Sequence, residues 1–319
     1  MTRTISIIFA VIMCITMLSA CKSVNKNFEV AFNLERKTVT LNNGIEMPIL
    51  GLGTFTLTPA QAEESVYNAL ITGVRLIDTA NAYMNERAVG RGVRRSGIPR
   101  EEVFITTKLW PPDYGDAARA IDETLARLDL GYIDLLLLHQ PYGNYTAAYQ
   151  AMENAVREGK VRAIGLSNFY EEKFSEIMNI ATITPAVLQV ESNPFFHQSV
   201  MREFLKPHGT VIMSWFPLGG RGNTQTLFNN EIISSIAGTH GKTSAQVILR
   251  WHLQIESVAI PGSSNANHIR ENFDIFGFQL TDEEMQRLKT LDRGHGSYDF
   301  STADGERFLN MRIDFNSQE

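Results

Sequence analysis

The 319-residue chain is poor in cysteine: Cys14 and Cys21 are the only two, and both fall within the first 21 positions. A disulfide-stapled scaffold and a Cys-based zinc site are thereby excluded for the rest of the chain, and no metal is expected. Basic excess is missing as well. Twenty-nine lysines and arginines stand against 35 aspartates and glutamates, a formal net charge of −6. A nucleic-acid surface needs a basic face to offset phosphate charge, so no nucleic-acid partner is expected. The longest apolar stretch, Ile5–Leu18, is fourteen residues, short of the roughly twenty that a membrane-spanning helix requires. A Gly-x-Gly-x-x-Gly fingerprint is absent too. Gly51-Leu52-Gly53-Thr54 and Gly90-Arg91-Gly92 both lack the third glycine, which argues against an open doubly wound dinucleotide-binding sheet.

What is present begins with an address. Arg3 precedes the Ile5–Leu18 run as in a secretory signal. Leu18-Ser19-Ala20-Cys21 then has the form of a bacterial lipobox, where the chain is cut before the cysteine and the thiol is acylated. Residues 1–21 read as a lipoprotein-type signal peptide ending at the lipidation site Cys21, and residues 22–36 as a polar tether. The expected location is the bacterial cell envelope, with membrane attachment through the lipid. The alternative is a cytoplasmic protein whose start codon is assigned too early.

From Thr38 the pattern is that of a folded domain. Thr38–Leu41, a turn at Asn42-Asn43-Gly44, and Ile45–Met47 read as a short hairpin. Eight buried strand cores follow, at Ile49–Phe55, Arg75–Ala80, Val103–Leu109, Ile133–His139, Val161–Asn168, Ala186–Glu191, Thr210–Phe216 and Ser257–Pro261. Amphipathic helices separate them, and Thr58-Pro59 supplies a cap and a first-position proline for one. Eight strand–helix units in one domain predict an α/β (β/α)8 TIM barrel over 37–293, capped by the N-terminal hairpin and followed by a tail at 294–319.

In such a barrel, function sits at the C-terminal ends of the strands. Asp78, Lys108 and His139 occupy three of those ends, and Tyr83 follows Asp78 by a few residues. Individually each has an ordinary structural reading, as a helix cap, a snorkelling cation, a hydrogen-bonded histidine and a rim aromatic. As a group they suit proton delivery to a carbonyl oxygen. A buried lysine needs a carboxylate partner, and a phenol beside that ammonium is expected to have its pKa lowered from about 10.

Asp78-Thr79-Ala80-Asn81-Ala82-Tyr83-Met84-Asn85-Glu86, Ile105–Pro111 and Leu137–Pro141 are similar to motifs of the aldo-keto reductase superfamily. The resemblance runs from about Lys37 to Arg293 and is nearest the bacterial diketogluconate and methylglyoxal reductases. It implies reduction of aldehydes and ketones to alcohols, with Tyr83 as general acid, Lys108 and Asp78 behind it, and His139 orienting the carbonyl. Hydride would come from a reduced nicotinamide. Ser167, Asn168 and Gln189 match the carboxamide contacts, Trp215 the stacking aromatic, and Leu218 and Gly219 the loop over the pyrophosphate. Ser263, Asn265, His268 and Asn272 match the adenosine end. Gly262 and His268 stand where many relatives carry lysine and arginine, the pair that holds a 2′-phosphate. NADPH is the expected cofactor, with NADH or dual use also open. Phe55, Trp110 and His139 are expected to line a pocket for a small aldehyde, α-dicarbonyl or keto-sugar, and the family implies a monomer. Two other readings compete: a Schiff-base lysine at Lys108, and a lipid-anchored barrel that binds without catalysis.

Overall fold

The computed structural model describes residues 29–298 and 302–319. The signal peptide and Cys21 lie outside the described residues.

Buried parallel strands cannot alternate polar with apolar, because helices cover their outer face and packed side chains fill the inside. The chain obeys this eight times. The strands are β4 (Gly51–Gly53), β5 (Leu76–Asp78), β6 (Phe104–Leu109), β7 (Ile133–Leu138), β8 (Val161–Ser167), β9 (Val187–Glu191), β10 (Val211–Trp215) and β11 (Val258–Ala259). All pair in parallel in sequence order. Parallel bridges Leu50–Ala259 and Gly53–Gly262 join the last strand to the first and close the barrel. The (β/α)8 expectation is met.

The intervening helices are α1 (Pro59–Thr72), α2 (Glu86–Ser96), α3 (Ala117–Leu128), α4 (Tyr145–Arg157), α5 (Glu171–Met178) and α6 (Ser199–Leu205). They are followed by α7 (Gly220–Phe228), α8 (Glu231–His240), α9 (Ser244–Gln254), α10 (Ala266–Phe273), α11 (Asp282–Lys289) and α12 (Thr302–Asn310). Thr58 caps α1 in a capping box with Gln61, and Pro59 takes the first helical position.

Alternation sorts each strand. Ile77, Ile105, Leu136, Leu138, Ile164, Leu188 and Ile212 pack outward beneath the helices. Leu76, Phe104, Leu135, Leu137, Ala163, Val187 and Met213 fill the interior. The same inward register, continued to the strand tops, delivers Asp78, Lys108, His139, Ser167 and Gln189 to one end. Space inside is tight at Gly165, where a Cβ would sit 2.3 Å from the Val187 carbonyl oxygen and 2.8 Å from Leu137 Cδ2.

The opposite end is plugged. Strands β2 (Thr38–Thr40) and β3 (Glu46–Pro48) form the expected hairpin, and its Val39, Leu41 and Met47 join the interior core. Asn42 donates to the carbonyls of Pro185 and His208, and Asn43 to that of Arg162, all at the N-terminal ends of barrel strands. The polar tether assigned to residues 22–36 is corrected at its far end. Ala31–Asn33 forms β1, antiparallel to β2, so the cap has three strands. A three-residue strand is too short to show a periodicity, and its pairing is supplied by the neighbouring hairpin.

Substitution Gly165→Ala should destabilise the fold by about 2–4 kcal/mol, because the new methyl meets backbone on the adjacent strand. Urea denaturation monitored by circular dichroism checks this, and an unchanged midpoint would show that β8 and β9 part without cost.

Candidate active site

The C-terminal mouth gathers the four residues picked out by sequence. Lys108 is fully buried on β6, and an ammonium has three donors and no acceptor. All three donors are used: Nζ donates to Asp78 Oδ1 at 2.7 Å, to the Thr79 carbonyl at 2.8 Å and to Tyr83 Oη at 3.2 Å. The other Asp78 oxygen accepts from Gln189 Nε2 at 2.8 Å. Burial pushes the Asp78 carboxyl up and the Lys108 ammonium down, and each partner's charge opposes the other's shift. Because Tyr83 Oη accepts from Lys108, its own proton is left for another acceptor.

The expected lowering of the Tyr83 pKa is overturned. Burial, followed by the Asp78 charge, holds the phenol well above 10. The sequence shows the lysine but not the depth of the site, and desolvation disfavours phenolate. Tyr83 is therefore held in its protonated form. His139 is driven well below 6.5 by burial and then by Lys108, so its ring is neutral. Its Nδ1 is buried and has no hydrogen-bond partner among the described residues.

Aromatic rings surround these groups. Phe55 lies 5.0 Å from the Tyr83 ring and 6.1 Å from Phe216. His139 meets Tyr83 and Trp110 edge-on at 5.7 and 5.0 Å. Phe308 of α12 packs edge-on against Trp110 at 5.1 Å. The tail thus contributes a wall of the mouth. It is pinned ahead of α12, where buried Glu191 accepts from the backbone and hydroxyl of Ser297.

A polar ledge adjoins the lysine. Asn168 Nδ2 donates to Ser167 Oγ, the His139 carbonyl and Gln140 Oε1, and Trp215 Nε1 donates to Asn168 Oδ1 at 2.9 Å. Ser167, Asn168, Gln189 and Trp215 are thus brought together beside Asp78. Donors and acceptors mixed in this way suit a primary carboxamide, and a partly exposed indole suits a flat ring. Leu218 and Gly219 lie just beyond β10, with Gly219 in the left-handed region at φ 89°. Ser263, Asn265, His268 and Asn272 all lie on the β11–α10 segment. The Asn265 side chain is committed there: it caps α10 by accepting from the Asn267 backbone at 2.8 Å. Two further groups escaped sequence reading, the buried Glu86–Arg127 ion pair and Asn85. A charged residue opening a helix ordinarily signals a solvated first turn, so nothing marked Glu86 as interior.

The Aldo/keto reductase family profile matches residues 49–293. Morphine 6-dehydrogenase of Pseudomonas putida is 43% identical over 270 residues, covering 80% of this chain and 91% of that protein. Glyoxal reductase of Bacillus subtilis is 42% identical over 262 residues, covering 81% and 94%. Among solved structures, that of MGS-M4, an aldo-keto reductase enzyme from a Medee basin deep-sea metagenome library, matches with a TM-score of 0.80 at 40% identity. It covers 82% of this chain and 97% of the other. With the matched region spanning the barrel from its first strand to the end of α11, the chain belongs to the aldo/keto reductase family and is an NAD(P)H-dependent oxidoreductase that reduces carbonyl groups.

Proposed function

We propose that the substrates are small aldehydes, α-dicarbonyls or keto-sugars, reduced with Tyr83 as proton donor. The observation that carries this reading is the complete use of the Lys108 donors, which fixes the Tyr83 oxygen and frees its proton. A carbonyl oxygen entering the cup would accept that proton and a second hydrogen bond from the neutral His139 ring. Phe55, Trp110 and Phe308 would exclude water around it. When bound, the nicotinamide supplies the hydride. Ser167, Asn168 and Gln189 would hold its carboxamide, and Trp215 its ring.

NADPH is the default nucleotide, with weakened preference over NADH. Two features support this. Gly262 offers no side chain, and a Cβ there would lie 3.1 Å from the Gly53 carbonyl oxygen. His268 lacks the planar fork with which arginine grips a phosphate. For the N-terminus we propose lipid attachment at Cys21 and a place in the bacterial cell envelope, and for the domain a monomer. Radiolabelled palmitate retained by the full chain and lost in Cys21→Ala would agree with the anchor.

Tryptophan quenching by NADPH and NADH, followed by turnover of methylglyoxal, tests the catalytic reading. Tyr83→Phe should reduce kcat by about 100-fold or more with nucleotide affinity retained. Retained turnover would remove Tyr83 from the chemistry. The Gly262→Lys/His268→Arg variant should raise the NADPH-to-NADH preference about tenfold or more, ~1.4 kcal/mol. An unchanged ratio would place phosphate recognition elsewhere. The neutral forms of both Tyr83 and His139 are favoured by their surroundings, so kcat/KM for reduction should stay flat from about pH 6 to pH 8. A fall centred on the ordinary histidine value as pH is lowered would show that His139 titrates normally.

A further inference from the structure

The catalytic tyrosine sits on a single 3-10 turn, Asn81–Tyr83, that ends in left-handed Met84 at φ 58°. So short a turn cannot hold a phenol in place by its own hydrogen bonds. It is gripped instead on both sides. Asn85, behind it, donates to the carbonyls of Thr54 and Leu57 and accepts from Thr79 Oγ1 at 2.8 Å. Asn81, in front, donates to Glu86 Oε1 at 2.9 Å and to Thr124 Oγ1 at 3.0 Å.

Glu86 is where these contacts converge with the other half of the site. The same Oε1 accepts from Thr107 Oγ1 at 2.6 Å, and Thr107 immediately precedes Lys108 on β6. One carboxylate oxygen therefore bridges the turn that carries the phenol and the strand that carries the ammonium. The second oxygen accepts from Arg127 Nε at 2.7 Å. Arg127 is oriented in turn by Thr124 Oγ1 at 2.9 Å and by Asn316 Oδ1 near the C-terminus at 3.0 Å. Glu86 is fully buried and Arg127 only 3% exposed.

Stability alone does not account for such a pair. Desolvating two charges costs several kcal/mol per ion, and well-packed apolar residues of similar size often do as well or better. What an apolar pair cannot do is hydrogen-bond to side chains on two separate elements at once. We infer that Glu86 is a positioning residue for the reaction: its carboxylate, held by Arg127, sets the distance between the Tyr83 turn and the Lys108 strand. This rests on the reading of Tyr83 as the proton donor.

Three kinds of variant test it with methylglyoxal in the full chain. Thr107→Val removes one arm of the bridge at nearly constant volume. It should lower kcat about fivefold or more, with KM and the NADPH dissociation constant within about twofold and the melting temperature nearly unchanged. Thr107→Ser keeps the hydroxyl and should recover most of that loss. Glu86→Met/Arg127→Met removes the bridging oxygen without leaving a lone buried charge, and it should lower kcat with the same split. Tyr83→Phe is run alongside. If Tyr83→Phe loses turnover while Thr107→Val keeps kcat, or loses it no more than Thr107→Ser does, the inference is overturned on its own. If Tyr83→Phe retains turnover, the proton-donor reading falls and takes the inference with it. Should the double variant fail to fold, the Thr107 pair decides.

Discussion

The burial of the Lys108 ammonium is the constraint around which the barrel mouth is arranged. An unpaired ammonium inside a protein is strongly disfavoured, so the neighbouring strand and the turn after it supply its partners. β5 supplies the Asp78 carboxylate and, one residue on, the Thr79 carbonyl, while the turn after β5 supplies the Tyr83 oxygen. Gln189 on β9 occupies the remaining carboxylate oxygen and so extends the network across the barrel. The parts of this arrangement are not independent. The lysine's third donor goes to a phenol oxygen, and that fixes the direction in which the phenol can give its own proton.

Around this polar centre the site is aromatic. The rings of Phe55, Trp110, Phe216 and Phe308 come from four different segments, the last of them in the tail. Their apolar surfaces strengthen the electrostatics within, since charge and dipole interactions are worth more where water is excluded. The tail is tied down on both sides of α12. Glu191 holds Ser297, and near the end Asn316 meets Arg127 while Gln318 accepts from the Arg87 backbone. The wall formed by Phe308 is thus part of the folded body.

The barrel was legible because buried parallel strands leave long apolar runs, and because a capping threonine and first-position proline punctuate α1. Asp78, Lys108 and His139 were legible for the converse reason, as polar residues ending runs that tolerate none. What stayed hidden depends on contacts between distant segments. β1 exists only through its pairing with β2. Asn265 matched the adenosine end, and that its Oδ1 also caps α10 is seen only in the fold. The direction of the Tyr83 shift follows from burial, which no local pattern encodes. Glu86 stood in the family-like motif with no role assigned, because only the fold brings Arg127 and Thr107 to it.

The three-stranded cap gives the molecule a defined back and front. It covers the N-terminal ends of the barrel strands, with Val30 lying against Gly209 just ahead of β10, whereas the reactive mouth opens at the other end. The described chain therefore begins, at residue 29, on the far side from the mouth. A surface holding the protein by that end, whether a lipid leaflet, a sensor chip or a chromatography resin, would present the mouth outward to solution. Fixed in this way, the enzyme should turn over substrate about as freely as it does untethered.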